Sequence, residues 1–401
     1  MPITIPAMAP TIHDAIVECL ARKVQMSGAA LTAALRMPRS TFAAAIAQLE
    51  AQDTVVQVGL SNGGRGRPSY LYRLKLPKAV MSLQVEGTQL AGAVFDRTLQ
   101  LQALEVAPLR NVQSVATALE ACKVMSAKLL SRSGARDQLA GVAISLNAVQ
   151  TGRRIVASSV LPWVTDDLDQ QLSHCLQLPV RIWIQSHLSA EYQRLRVMPR
   201  SVVLFHAADG ISANMIVNAH SHTGHSGMAG ELGHVSREAG GPLCGCGKRG
   251  CLEAYCSGPA IHRRMAEDLA TGVLSLLEAD TFLRVAPPEA MELVWLAWQA
   301  GDSFARTFMA EVLGRLGWGL GLVQNLLDPQ VIVFGGYVLA ARLPWVDEIR
   351  RASHTWLLRP VDRKTQFVQA TASIEDALRL TAISYYHPAK DTAGGSSDAA
   401  N

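Results

Sequence analysis

No run of about 18 uninterrupted apolar residues, the length a membrane-spanning helix needs, occurs in the 401-residue chain, so no membrane partner is expected. Charged side chains are also sparse, at 17%, whereas hydrophobic ones reach 49%. That balance excludes an intrinsically disordered chain and describes a globular one. The opening stretch "MPITIPAMAPTIHDAI" has no basic segment followed by an apolar core, so no secretory signal is read and a cytoplasmic location is expected. Cysteine is scarce: of seven, Cys19, Cys122 and Cys175 stand singly, which leaves no disulfide framework. A strong overall charge is missing too, since the formal net charge is only +4.

That small surplus is unevenly placed. Residues 1–75 hold eight basic against four acidic side chains, which accounts for the whole excess and directs any polyanion binding to this segment. Here "PTIHDAIVECLARK" has helical spacing, and Ser27 can cap a second helix, "GAALTAALR". After "MPRS", Ser40 can cap a third, "TFAAAIAQLEAQ". Two β-rich runs, "TVVQVGL" and "SYLYRLKL", flank the glycine-rich "SNGGRGRP". Helix, turn, helix and hairpin read as a winged helix-turn-helix, or as a generic small α/β module. On the first reading operator DNA is the partner: Arg39, Ser40 and Thr41 reach bases or phosphates in the major groove, and Arg65 and Arg67 follow the minor groove. The tip is alternatively an interdomain hinge.

At this length two or three domains are expected. From about residue 78 strand and helix patterns alternate, and the cycle restarts near residue 201, which predicts two α/β lobes with a ligand cleft between them. The domains read as 1–75, then 76–390 with lobes of about 76–200 and 201–390, then a disordered tail over 391–401.

The remaining cysteines cluster. His234, Cys244, Cys246 and Cys251 form an H-x9-C-x-C-x4-C array, a complete tetrahedral Zn²⁺ set of one imidazole and three thiolates. A closed shell leaves no position for an activated water, so the ion is structural; reduced, unliganded cysteines are the alternative. Cys256 reads as buried and unliganded, or as a replacement ligand in a distorted site.

"AGELGHVS" followed by "CGCGKRGCLE" closely resembles the signature of the ROK family (repressor, open reading frame, kinase). "MPRSTFAAAIAQLEAQ", "GGRGRP", "LPW" at 161–163 and "LLDPQVIVFGG" are similar to its repressor branch, related to the glucose and N-acetylglucosamine repressors. The resemblance implies a winged helix followed by an actin-like, two-lobe sugar-kinase fold with ribonuclease H-like lobes. Glu231, His234 and Glu253 match the family's sugar-contacting positions, and His234 would use one ring nitrogen for zinc and the other for sugar.

Departures from the kinase pattern imply that the chain is not an enzyme. The first phosphate loop reads "QVEGTQ", with Gln84 and Glu86 replacing an acidic residue and a glycine, and the second reads "GISANM". A carboxylate there would repel triphosphate. His187, or alternatively Ser186, stands where kinases keep the catalytic aspartate, near Gln185, and Ser159 replaces a sugar-binding asparagine. Ser159, Gln185 and His187 are therefore effector-site candidates beside Glu231, His234 and Glu253. The implied function is a transcriptional regulator, a repressor, that responds to a sugar or sugar derivative. The alternatives are an ATP-dependent sugar kinase with a DNA-binding arm and a regulator controlled by a protein partner. A two-fold operator requires a homodimer or homotetramer, with recognition helices about 34 Å apart.

Overall fold

The computed structural model describes residues 11–386, apart from 24, 62–67, 87–88, 110–111, 113, 136–137, 147, 152–153, 159–160, 162, 184–198, 219, 341–342, 344 and 359–363. Arg65, Arg67, Ser159, Gln185, Ser186, His187 and the 391–401 tail therefore lie outside the described residues. The chain forms two compact units. One contains residues 1–146, 167–193 and 373–391; the other contains 147–166, 194–372 and 392–401.

The first unit begins with α1 (Ile12–Arg22), β1 (Met26–Ser27), α2 (Gly28–Ala34), α3 (Arg39–Ala51), β2 (Val55–Leu60) and β3 (Tyr70–Leu74). Thr11 and Asp14 form a capping box on α1, and the Ser27 side chain accepts from the Ala30 amide, as its position predicts. Ser40 does not cap α3. That helix starts two residues earlier, with Pro38 at its N-cap and no side-chain cap bond, and proline's fixed φ suits a helix entry. β1, β3 and β2 form an antiparallel sheet in that order, with β2 and β3, after the three helices, paired as the hairpin that the sequence predicts.

The main sheet of this unit comprises β4 (Ala79–Glu86), β5 (Gln89–Phe95), β6 (Leu101–Pro108), β7 (Leu139–Leu146) and β10 (Val180–Trp183), ordered β10-β7-β4-β5-β6. β4, β5 and β6 pair antiparallel, whereas β7 and β10 join in parallel after α4 (Val115–Ser133) and α5 (Leu168–Leu176). A C-terminal helix, Ile374–Ser384, packs on this sheet instead of completing the second lobe as chain order suggested. Leu378 and Ala382 share one core with Ile16, Leu20, Leu74 and Phe95. The N-terminal helices and hairpin are thus packed onto the sheet, and the Arg97 side chain also donates to Leu76 O and Asp53 at 3.1 and 2.8 Å.

The second unit includes the hairpin β8 (Val149–Thr151) and β9 (Arg154–Ala157). Its sheet contains β11 (Val202–Ala207), β12 (Ile211–Val217), β13 (His220–His222), β14 (Val331–Gly335) and β15 (Gln366–Gln369), ordered β13-β12-β11-β14-β15. β11, β12 and β13 pair antiparallel; β14 and β15 are parallel to β11. The same plan in both units is the repeated ribonuclease H-like lobe. Helices α6 (Leu252–Cys256), α7 (Gly258–Ala270), α8 (Ala279–Arg284), α9 (Pro287–Gln299), α10 (Ser303–Leu327) and α11 (Trp345–Ser353) complete the unit. Val203, Phe205, Met309, Leu316 and Phe334 lie in its core. Among the described residues no helix is long and apolar enough to cross a membrane.

Candidate metal centre and the carboxylates beside it

A short 3₁₀ turn, Leu232–His234, brings His234 to the cysteine loop, and Cys251 precedes the first residue of α6. The intervening chain folds back as a small hairpin. Ser236 bridges Cys251, Leu243 bridges Arg249, and the Cys244 amide donates to Lys248 O at 2.8 Å. Gly250 has φ +73°, and a Cβ there would collide with Glu238 O, so glycine is required on both counts.

This fold gathers the ligand atoms of His234, Cys244, Cys246 and Cys251 within 4.8 Å of one another, the only such group among the described residues. His234 Nδ1 lies 3.6 Å from Cys244 Sγ, and Cys246 Sγ lies 3.7 Å from Cys251 Sγ. A tetrahedral zinc with Zn–S near 2.3 Å places its sulfurs about 3.8 Å apart; two donor pairs already stand at that spacing, and the rest, within 4.8 Å, fit such an ion with a closure of about 1 Å or less. Burial pushes the Cys244 thiol up to about 12. Cys246 is lowered: burial opposes this, but the Lys248 amide and the neighbouring thiols outweigh it. Cys256 is outside the group; it is fully buried in α6 and its thiol meets Val312 O at 3.6 Å.

The other face of His234 meets two carboxylates. Its Nε2 is 3.8 Å from Glu231 Oε2 and 3.9 Å from Glu253 Oε1. Glu253 is held from behind, because its Oε2 accepts from the Ile211 amide at 3.0 Å. Gly233 permits that approach: a Cβ would stand 2.5 Å from Ile211 O and 3.1 Å from Glu253 Oε2. Burial raises both carboxyls and lowers the imidazole, so all three favour their neutral forms more than they would in water. Two acceptor-rich groups and an imidazole nitrogen, spaced a little beyond direct contact, suit hydroxyl groups inserted among them.

Sequence reasoning missed the brace behind this loop. Tyr255 donates to Glu238 Oε2 at 2.7 Å, and Arg315 on α10 donates to Glu238 Oε1 at 2.9 Å and Glu311 Oε1 at 2.8 Å. The Arg315 guanidinium lies 3.7 Å from the Tyr255 ring centroid, an arrangement that also gains cation–π attraction. Only the i,i+4 spacing of Glu311 and Arg315 was a local sign of it.

The sequence positions assigned to DNA lie apart in chain order from this centre. Arg39 and Ser40 are exposed in the first turn of α3, and Thr41 is half-buried.

The ROK family sequence pattern matches residues 80–381. The chain is 30% identical over 167 residues to N-acetylmannosamine kinase of Vibrio cholerae serotype O1, which covers 40% of this chain and 57% of that kinase. It therefore spans little more than half the length of that curated relative. Among solved structures, a ROK family transcriptional regulator described as a homologue of the E. coli MLC protein is similar with a TM-score of 0.67 and 18% identity, covering 93% of this chain and 97% of that one. A ROK glucokinase from Streptomyces griseus, in complex with glucose and AMPPNP, is similar with a TM-score of 0.60 and 21% identity over 76% of this chain and 98% of that one. With most of its length matched by the family pattern and the same fold found in these structures, the chain belongs to the ROK family.

Proposed function

We propose that this ROK protein is a transcriptional regulator, a repressor, that binds operator DNA through residues 1–75 and a sugar or sugar derivative through residues 76–390. The observation that carries the reading is the winged segment ahead of the family-matched residues. It supports the regulator branch that the likeness extends over 93% of the chain with the regulator but 76% with the glucokinase. Arg39, Ser40 and Thr41 at the start of α3 read the major groove, and Arg65 and Arg67 enter the minor groove. The protein acts as a homodimer or homotetramer, so that paired recognition helices meet a two-fold operator.

Glu231, His234 and Glu253 form the polar wall of the effector site, with Ser159, Gln185 and His187 as further contacts. A structural Zn²⁺ held by His234, Cys244, Cys246 and Cys251 supplies rigidity: it fixes the imidazole that meets the effector. The effector regulates by binding one arrangement of the protein more tightly than the other, since only differential affinity shifts the equilibrium.

Kinase activity is absent in this reading. Glu86 ends β4 with its carboxylate 3.4 Å from the Gln84 amide nitrogen, so an anionic side chain stands at the first phosphate-loop position. At the carboxyl ends of β11 and β14, where open α/β sheets bind ligands, the Tyr337 hydroxyl donates to the Asp209 carboxylate. A phenol–carboxylate pair there supports exclusion of polyphosphate. Incubation of the full-length protein with ATP and a panel of hexoses and N-acetylhexosamines is expected to consume no ATP. Sugar-dependent turnover would establish the kinase reading instead.

A further inference from the structure

We propose that the edge strand β13 carries a second metal site, a chelate formed by His220 and His222 for a borderline divalent transition ion such as Ni²⁺, Cu²⁺ or Zn²⁺. It is separate from the His234–cysteine centre and does not depend on the regulatory reading. In β13 the two histidines are two residues apart, so they project from the same face of the strand, and both are exposed. Their cross-strand partners are Val217 and Met215, whereas Ser221 between them pairs with Ile216 on the opposite face. Among the described residues β13 is the outer strand of its sheet, with no further strand on that edge.

Residues two apart in a strand are separated by about 6.6 Å. Two imidazole nitrogens each about 2.1 Å from one ion stand about 3–4 Å apart. Each ring therefore has to lean toward the other by less than about 2 Å, a movement within ordinary rotamer freedom.

A second observation points the same way. His220 Nδ1 is 2.9 Å from the carbonyl oxygen of Asn218. A carbonyl can only accept, so Nδ1 carries the proton and donates. In the neutral ring the lone pair is then on Nε2, the nitrogen pointing away from the backbone. A metal-binding histidine is oriented in this way, with its other nitrogen donating to a backbone carbonyl. Asn218 adopts φ +53°, the left-handed conformation that asparagine tolerates at a turn, and this places its carbonyl beside the ring.

The connection that follows starts with the Ala229 amide donating to Thr223 O at 3.0 Å, and the Ala213 amide then donates to Gly230 O at 2.8 Å. His225 is exposed in the same connection, three residues beyond His222, but its ring does not group with theirs, so the protein supplies a two-histidine chelate. Imidazole donors without thiolate suit Ni²⁺, Cu²⁺ and Zn²⁺ rather than Mg²⁺ or Ca²⁺.

Calorimetric titration of the untagged, zinc-loaded full-length chain with Ni²⁺ tests the site. One saturable equivalent is expected beyond the zinc already present. His220→Asn or His222→Asn should weaken it about 10-fold or more, because the second imidazole acts at high effective concentration once the first has bound. The double variant should lose it while zinc content and thermal unfolding stay unchanged. His174→Asn, at another exposed histidine, should leave it intact. Equal Ni²⁺ binding by the wild type and the double variant, or no Ni²⁺ binding by the wild type, would overturn the proposal.

Discussion

Nε2 of His234 stands 3.9 Å from Oε1 of Glu253. On the opposite side of the same ring, Nδ1 stands 3.6 Å from Cys244 Sγ. One imidazole thus belongs at once to the thiol cluster and to the carboxylate wall, so displacement of either should be felt by the other.

Cys251→Ser tests the cluster. Hydroxyl oxygen is a poor substitute for thiolate in a tetrahedral sulfur-rich shell, so bound zinc should fall from about one ion per chain to none. Elemental analysis of the purified variant measures this directly. A variant with full zinc content would remove Cys251 from the ligand set.

Glu231→Gln tests the wall separately. It keeps the shape but replaces one acceptor oxygen with a donor, so sugar affinity should drop by about 10-fold, the scale of one lost charged hydrogen bond, while zinc content is unchanged. Titration calorimetry reads the first quantity and elemental analysis the second. Unaltered sugar affinity would take Glu231 out of the effector site.

Asp302 gives a pH-dependent prediction within the same unit. It caps α10 by accepting from the Ala305 amide at 2.7 Å, and it also accepts from Ser275 and the Leu276 amide. Burial disfavours its charge, but those bonds outweigh burial and hold its carboxyl below the usual range. A folded value below the unfolded one means that the contribution is fully present above about pH 4. It is lost as pH falls through the folded value. Asp302→Ala should cost about 1–2 kcal/mol near neutrality, and urea unfolding should show the gap from wild type closing in acid.

Arg39→Ala tests the DNA face. Loss of one phosphate or base contact should weaken operator binding by about 1–3 kcal/mol if the side chain reads a base. For a phosphate contact it should lower the salt dependence by about one charge instead. Binding by fluorescence anisotropy over a range of salt concentrations separates these outcomes, and unchanged affinity and salt slope would place Arg39 outside the interface.

The cluster of one histidine and three cysteines was legible in sequence because its four donors lie within 18 residues and zinc chemistry accepts few donor sets. The lobes were legible through alternating strand and helix patterns. Long-range relations were not. Nothing local says that Ile374–Ser384 returns to the first sheet, that Glu238 is held by Arg315 77 residues away, or that Ile211 anchors Glu253. The start of α3 was misplaced by two residues because Ser40 is a common cap, whereas proline's fixed φ at position 38 already sets the helix entry.

The central claim is that DNA binding and sugar binding are coupled in one chain. The most direct measurement is the affinity of the full-length protein for genomic fragments selected by its own footprint, titrated with hexoses, N-acetylhexosamines and their phosphates. The account predicts sequence-specific, salt-dependent binding whose affinity shifts by about 5-fold or more with one of these ligands, the range of ordinary coupling energies. Failure to bind any fragment more tightly than random DNA, together with ATP-dependent phosphorylation of a sugar, would contradict it.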